Sequence, residues 1–86
     1  MTEKEITRRI ATLYPDAIME VSGADCNFEL YIISDEFNDM NTMQRQKPIL
    51  SLFKNELATG ELHALSIKAK TPDEQNVKTG IVQIQL

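Results

Sequence analysis

Phe28-Glu29-Leu30-Tyr31-Ile32-Ile33-Ser34 is the stretch on which the fold turns. Phe28, Leu30 and Ile32 alternate with Glu29, Tyr31 and Ile33, so apolar groups fall on both faces of an extended segment, the pattern of a strand with neighbours and cover. It reads as the central strand. Upstream, Ala17-Ile18-Met19-Glu20-Val21 suits a pleated surface, and Ser22-Gly23-Ala24-Asp25 is turn chemistry. These segments predict a first strand, a loop of about six residues, and an antiparallel hairpin onto the central strand.

Further out, Thr2 with Glu5 has the spacing of a capping box, and Ile6, Ile10, Leu13 and Tyr14 form one apolar stripe. A helix over residues 3–14, ended by Pro15, is predicted. Downstream of the central strand, Asn41 or Thr42 can cap a long helix to about Leu57, whose apolar stripe is Met43, Leu50, Phe53 and Leu57. Pro48 predicts a kink near residues 44–48 or a helix start there, and Gly60 is the stop signal. Leu62 to Ala69 alternates as a third strand. Thr71-Pro72-Asp73-Glu74 repeats the capping-box pattern and opens a short last helix, broken at Gly80. Ile81 to Leu86 alternates again, as a fourth edge strand or a tail. The order is α-β-β-α-β, an α+β domain with one small three-stranded mixed sheet and helices on one face.

With 86 residues, 42% of them hydrophobic, the chain builds a single core, which excludes a two-domain enzyme. It holds one cysteine, Cys26, one histidine, His63, and no tryptophan, which excludes an internal disulfide and any metal cage of three or more Cys/His ligands from one chain. The acidic start without an apolar stretch predicts no signal peptide and a cytoplasmic location, and the longest aliphatic and aromatic run, Leu30 to Ile33, is far short of a membrane span. The net charge of −4 argues against a protein living on phosphate backbones. The charge is uneven, however: residues 1–39 carry three basic and nine acidic side chains, and residues 40–86 six basic and four acidic.

Two strands joined by a helical crossover are normally parallel, so their starts lie on one edge of the sheet. If strands two and three are adjacent, Cys26 and His63 meet there. A lone histidine on the face of Leu65 and Ile67 also reads as a partly buried packing residue. One thiolate and one imidazole supply half of a [2Fe–2S] site, the other ligands coming from a partner. No third group that would orient a Cys/His pair is evident, which argues against a cysteine hydrolase.

Val21-Ser22-Gly23, Phe28-Glu29-Leu30, Ser34 and Phe37, Gln44-Arg45-Gln46-Lys47, and above all Leu62-His63-Ala64-Leu65-Ser66-Ile67-Lys68-Ala69 followed by Thr71-Pro72-Asp73-Glu74 resemble the BolA family, closest to its IbaG-like branch, over about residues 3–75. The resemblance implies a fold like the type II KH domain and a partnership with monothiol (CGFS-type) glutaredoxins, in which a [2Fe–2S] cluster is shared between glutaredoxin cysteine and glutathione on one side and BolA-like ligands on the other. His63 matches the family's C-terminal ligand histidine. The second ligand maps to Cys26 with an offset of one residue, about 3.5 Å, because the branch has serine-histidine-phenylalanine where this chain has Cys26-Asn27-Phe28. Asp39 stands where the family has a glycine after Phe37, and Gln75 where it has a tryptophan.

Three functions compete at this level. The first is a non-enzymatic iron–sulfur adaptor, docked through the long helix and the Cys26/His63 edge. The second is a nucleic-acid-binding regulator using the turn and the long helix, with Arg45, Lys47, Lys54, Lys68 and Lys70 as the phosphate-contacting patch. No GXXG clamp supports it, since the glycines stand only at 23, 60 and 80. The third is a metal-free interaction module, to which Met40 and Met43 would contribute contacts, although methionine at helical spacing also reads as core filling.

Overall fold

A computed structural model describes residues 1–75. The order is α1 (Glu3–Leu13), β1 (Ile18–Ala24), β2 (Asn27–Ile33), a single 3-10 turn (Asp35–Phe37), α2 (Thr42–Ser51), α3 (Lys54–Thr59) and β3 (Ala64–Lys70), with residues 72–75 helical again. The strands form one sheet in the order β1-β2-β3, antiparallel between β1 and β2 and parallel between β2 and β3. The predicted α+β class, central strand and α-β-β-α-β order are those of the molecule. The edge strand or tail expected at 81–86, and the break at Gly80, lie outside the described residues.

Capping fixes several element starts. The Glu5 N–H donates to Thr2 Oγ1 at 3.1 Å, but the Glu5 carboxylate turns to Arg8 and Arg9, so only half of that expected box forms. At α2 both halves form: Gln44 N–H to Asn41 Oδ1 at 2.9 Å and Asn41 N–H to Gln44 Oε1 at 2.8 Å. Thr71 and Glu74 exchange the same pair of bonds, at 2.9 and 3.1 Å.

One face of the sheet is covered. Phe28, Leu30 and Ile32 of β2 point into a core with Ile6 and Ile10 of α1, Ile49 of α2, and Phe37, Phe53, Leu62 and Ile67, while Tyr14 and Phe37 rings meet at 5.1 Å. The opposite face is open, leaving Ile18 70% and Tyr31 48% exposed. β2 thus has neighbours on both edges but cover on only one face, and its outward apolar side chains lie on the open face.

Two expectations are corrected. The β1–β2 connection is not a six-residue loop: Ala24 pairs with Asn27, and only Asp25 and Cys26 lie between them. Both have positive φ, 54° and 70°, as the two central residues of a type I′ hairpin turn must. The Gly23 φ of 139° permits the close approach that precedes it, since a Cβ there would lie 2.2 Å from the Asn27 carbonyl oxygen. The sequence shows the turn residues but hides the tightness, because neither Asp nor Cys announces a type I′ turn as Asn-Gly would.

The long helix is interrupted, but not at Pro48, which lies within α2. The break falls at Leu52 and Phe53, where N–H groups bond back to Ile49 and Leu50 in tightened turns. Arg9 from α1 decides its place. It donates to the freed Leu52 carbonyl at 3.2 Å and to Glu56 Oε2 at 2.9 Å, and its guanidinium lies 5.4 Å from the Phe53 ring centroid. This three-way anchorage is long-range, so no local pattern reveals it. Of the predicted stripe, Phe53 is fully buried, Leu50 and Leu57 are half-buried, and Met43 is 76% exposed.

Candidate metal-ligand edge at Cys26 and His63

Three steps deliver His63. Helix α3 ends at Gly60, whose left-handed φ of 88° reverses the chain and whose N–H bonds to the Glu56 carbonyl at 3.0 Å. Leu62, with no exposed surface, is driven into the core, and its N–H bonds to the same carbonyl at 3.1 Å. His63 is the next residue. Its backbone N–H donates to the Cys26 carbonyl at 2.8 Å, and that oxygen also receives Ala64 N–H at 3.3 Å. The parallel register then starts at Asn27 opposite Ala64.

Cys26 reaches the same place through the hairpin. It is the second central residue of the turn, half-buried and free of any disulfide, and the Asn27 side-chain amide braces the turn by donating to the Asp25 carbonyl at 3.1 Å. The one-residue offset that the resemblance implies therefore falls in a two-residue turn rather than in the longer loop expected there. His63 is exposed rather than tucked under Leu65 and Ile67, which corrects the packing reading. Its Nε2 stands 4.0 Å from where a Cβ on Gly60 would lie, so the imidazole overhangs the end of α3.

The donor set is the thiol of half-buried Cys26 and the imidazole of exposed His63, both competent ligands for zinc or iron. Among the described residues no three His, Cys, Asp or Glu side chains form a metal-binding group. Two soft-to-intermediate donors at an open edge fit a shared cluster, whose remaining ligands a partner would provide.

The five basic residues do not gather into one patch. Arg45 is 11% exposed at its side chain and is consumed internally: it binds Glu74 through both terminal nitrogens, at 2.7 and 3.0 Å, and donates to the Met40 and Ala69 carbonyls. Lys68 lies over the Tyr31 ring at 5.4 Å on the open sheet face, where Lys70 also lines the surface. Lys47 and Lys54 line a different groove, on α2 and α3. Sequence reasoning missed Arg45 and Gln46 as covers of the sheet edge. Their side chains donate to the outward carbonyls of Ala69 and Ile67, at 2.9 and 3.1 Å, and so occupy the free edge of β3. No helix among the described residues is long and apolar enough to cross a membrane.

A family model described as BolA-like protein matches residues 14–74. A protein of Acinetobacter guillouiae, described as uncharacterized and from the rpoN-murA intergenic region, is 31% identical over 74 residues, covering 86% of this chain and 89% of its own. The chloroplastic BOLA1 protein of Arabidopsis thaliana is 43% identical over 54 residues, but the chain spans only 33% of its length. Among solved structures, Arabidopsis thaliana BolA1 superposes with a TM-score of 0.64 at 32% identity, covering 85% of this chain and 98% of that one. A Bol-like protein of Babesia bovis shares the fold with a TM-score of 0.76 at 24% identity, over 92% and 94% of the two chains. With the matched region spanning β1 to the Thr71/Glu74 box, and the histidine-led third strand inside it, the chain belongs to the BolA family.

Proposed function

We propose that the protein is a non-enzymatic iron–sulfur adaptor that binds a monothiol glutaredoxin and shares or hands on a [2Fe–2S] cluster at the Cys26/His63 edge. The observation that carries this reading is the 2.8 Å backbone hydrogen bond from His63 N–H to the Cys26 carbonyl, which sets the exposed His63 and the half-buried Cys26 side by side at one end of the sheet. The family resemblance supplies the expectation of the glutaredoxin, and of glutathione and a glutaredoxin cysteine as the other ligands. When bound, the cluster provides soft iron sites that accept thiolate and imidazole. The chain's own residues hold the ligands in place: Leu62 anchors the backbone, Gly60 turns it, and the Asp25-Cys26 turn fixes the thiol-bearing residue beside it.

His63 is the firmer ligand, because it matches the family position directly. Mixing the protein with cluster-loaded glutaredoxin should change the visible absorption and circular dichroism and yield a heterocomplex on gel filtration. An unchanged spectrum with no complex overturns the reading. A phosphate-binding function finds less support, since the basic side chains lie on separate surfaces and Arg45 is engaged internally.

A further inference from the structure

Helices α2 and α3 together present a second feature, a groove of about 490 Å³ lined by Met43, Gln46, Lys47, Leu50, Lys54 and Leu57. Its apolar residues, Met43, Leu50 and Leu57, follow one another at intervals of seven, and so do its two cations, Lys47 and Lys54. Met43 is 76% exposed, the most exposed large hydrophobic among the described residues. Met43 and Leu50 come from α2 and Leu57 from α3, so the apolar line runs across the interruption at Leu52 and Phe53, and all three side chains line the one groove. The sequence assigns this line to the core, but Ile49 and Phe53 fill the core from these helices, Leu50 and Leu57 pack half-buried against it, and Met43 stands outside it.

The flanking charge says what kind of helix fits. From Thr42 to Leu57 the only carboxylate is Glu56, and Arg9 holds it at 2.9 Å. Arg8, Arg9 and Arg45 are all ion-paired and Lys68 lies over Tyr31, whereas no carboxylate pairs with Lys47 or Lys54 among the described residues. In a chain of net charge −4, an acid-free apolar groove between two unpaired lysines is complementary to an acidic surface. We infer that this groove docks an acidic amphipathic helix of a partner protein, with apolar side chains seated along Met43, Leu50 and Leu57 and carboxylates paired to Lys47 and Lys54.

Other occupants fit less well. A second copy of the chain offers no acidic helix to this groove: α1 sets Glu3 and Glu5 against Lys4, Arg8 and Arg9, and its Ile6 and Ile10 have no exposed surface. A nucleic acid would meet two phosphate-binding cations across a floor of methionine and leucine, too few contacts for the electrostatic term on which such binding depends.

The test uses metal-free protein with Cys26 and His63 intact, so its failure leaves the cluster-sharing reading standing, and the failure of that reading leaves the groove untouched. The probe is a fluorescein-labelled helical peptide of about 18 residues with leucines at heptad spacing flanked by glutamates. Its counterpart carries lysines in place of the glutamates. Fluorescence anisotropy should show the acidic peptide binding roughly tenfold or more tightly than the basic one, with the preference weakening between about 0.05 and 0.5 M NaCl. Met43→Glu should abolish binding, and Lys47→Glu with Lys54→Glu should reverse the preference. Circular dichroism verifies that these exposed-site variants fold. Equal binding of both peptides, binding of neither, or indifference to Met43→Glu overturns the inference. So does a concentration-dependent homodimer lost in Met43→Glu, or duplex DNA that displaces the acidic peptide and needs the same lysines.

Discussion

The backbone N–H of His63 donates to the carbonyl oxygen of Cys26 at 2.8 Å, tying together two residues 37 positions apart. This bond lies just ahead of the first pair of the parallel ladder, Asn27 with Ala64, so the placement of both candidate ligands is a property of strand register. His63→Ala keeps its N–H and hence the bond, and removes only the imidazole. It should abolish the spectrum of the heterocomplex with cluster-loaded glutaredoxin while leaving the thermal midpoint of the free protein nearly unchanged.

Cys26 holds a left-handed conformation, with φ of 70°, that costs a residue bearing a Cβ about 1 kcal/mol relative to glycine. Cys26→Gly should therefore stabilise the fold by about 1 kcal/mol in chemical denaturation, and Cys26→Ala should not. Both variants lose the thiol. If Cys26 ligates, both weaken the heterocomplex equally although only Cys26→Gly stabilises the fold.

Gly23 is fixed by space as well as by φ, with a Cβ placed 2.2 Å from the Asn27 carbonyl oxygen and 2.7 Å from the Phe28 Cα. Gly23→Ala should cost roughly 1–3 kcal/mol, because backbone on the facing strand has to move. The displaced turn carries Cys26, so the amide resonances of Cys26 and His63 should shift with it.

Glu74 is held well below the usual carboxylate range, to about 2, first by its hydrogen bonds from Arg45 and then by the Thr71 backbone N–H. Its ionised form is favoured in the folded state, so its contribution is complete above the unfolded value near 4.5 and is lost as pH falls toward 2. Glu5 and Glu56 are lowered in the same direction, chiefly by hydrogen bonds from Arg8 and from Arg9 respectively. Urea midpoints measured from neutral pH downward should drop through this window, and Glu74→Gln should flatten the drop. An unaltered acid limb in Glu74→Gln contradicts the assignment.

Arg9 anchors the interruption of the long helix. Arg9→Met keeps much of the apolar stem but strands the Leu52 carbonyl and the Glu56 carboxylate, and should cost roughly 1–3 kcal/mol. Hydrogen exchange should accelerate at residues 52–57 more than in α2.

The period-two pattern of Phe28 to Ile33, a cap at Asn41 or Thr42, the capping box at Thr71, and the glycine stop at Gly60 were legible because each is set by interactions within about four residues of chain. Pro48 misled for the converse reason. Its local penalty marks a weak point in the helix, but the break forms where Arg9 from α1 takes the Leu52 carbonyl and Phe53 turns into the core. The hairpin was legible as chemistry and not as length, since Asp25 and Cys26 tolerate positive φ without advertising it. Asp39 likewise carries a φ of 62°, in the left-handed region that favours glycine.

By itself the sequence determined the element order, the three-stranded mixed sheet with a parallel pair, and the nomination of Cys26 and His63, because hydrophobic periodicity and crossover chirality are local rules with global consequences. Only the tertiary structure decided which side chains remain available. It consumed Arg45 on Glu74 and on the edge of β3, left Met43 outside the core, and left His63 exposed beside the Cys26 turn. Availability depends on what packs against a residue from distant parts of the chain, and no pattern along the chain encodes that directly.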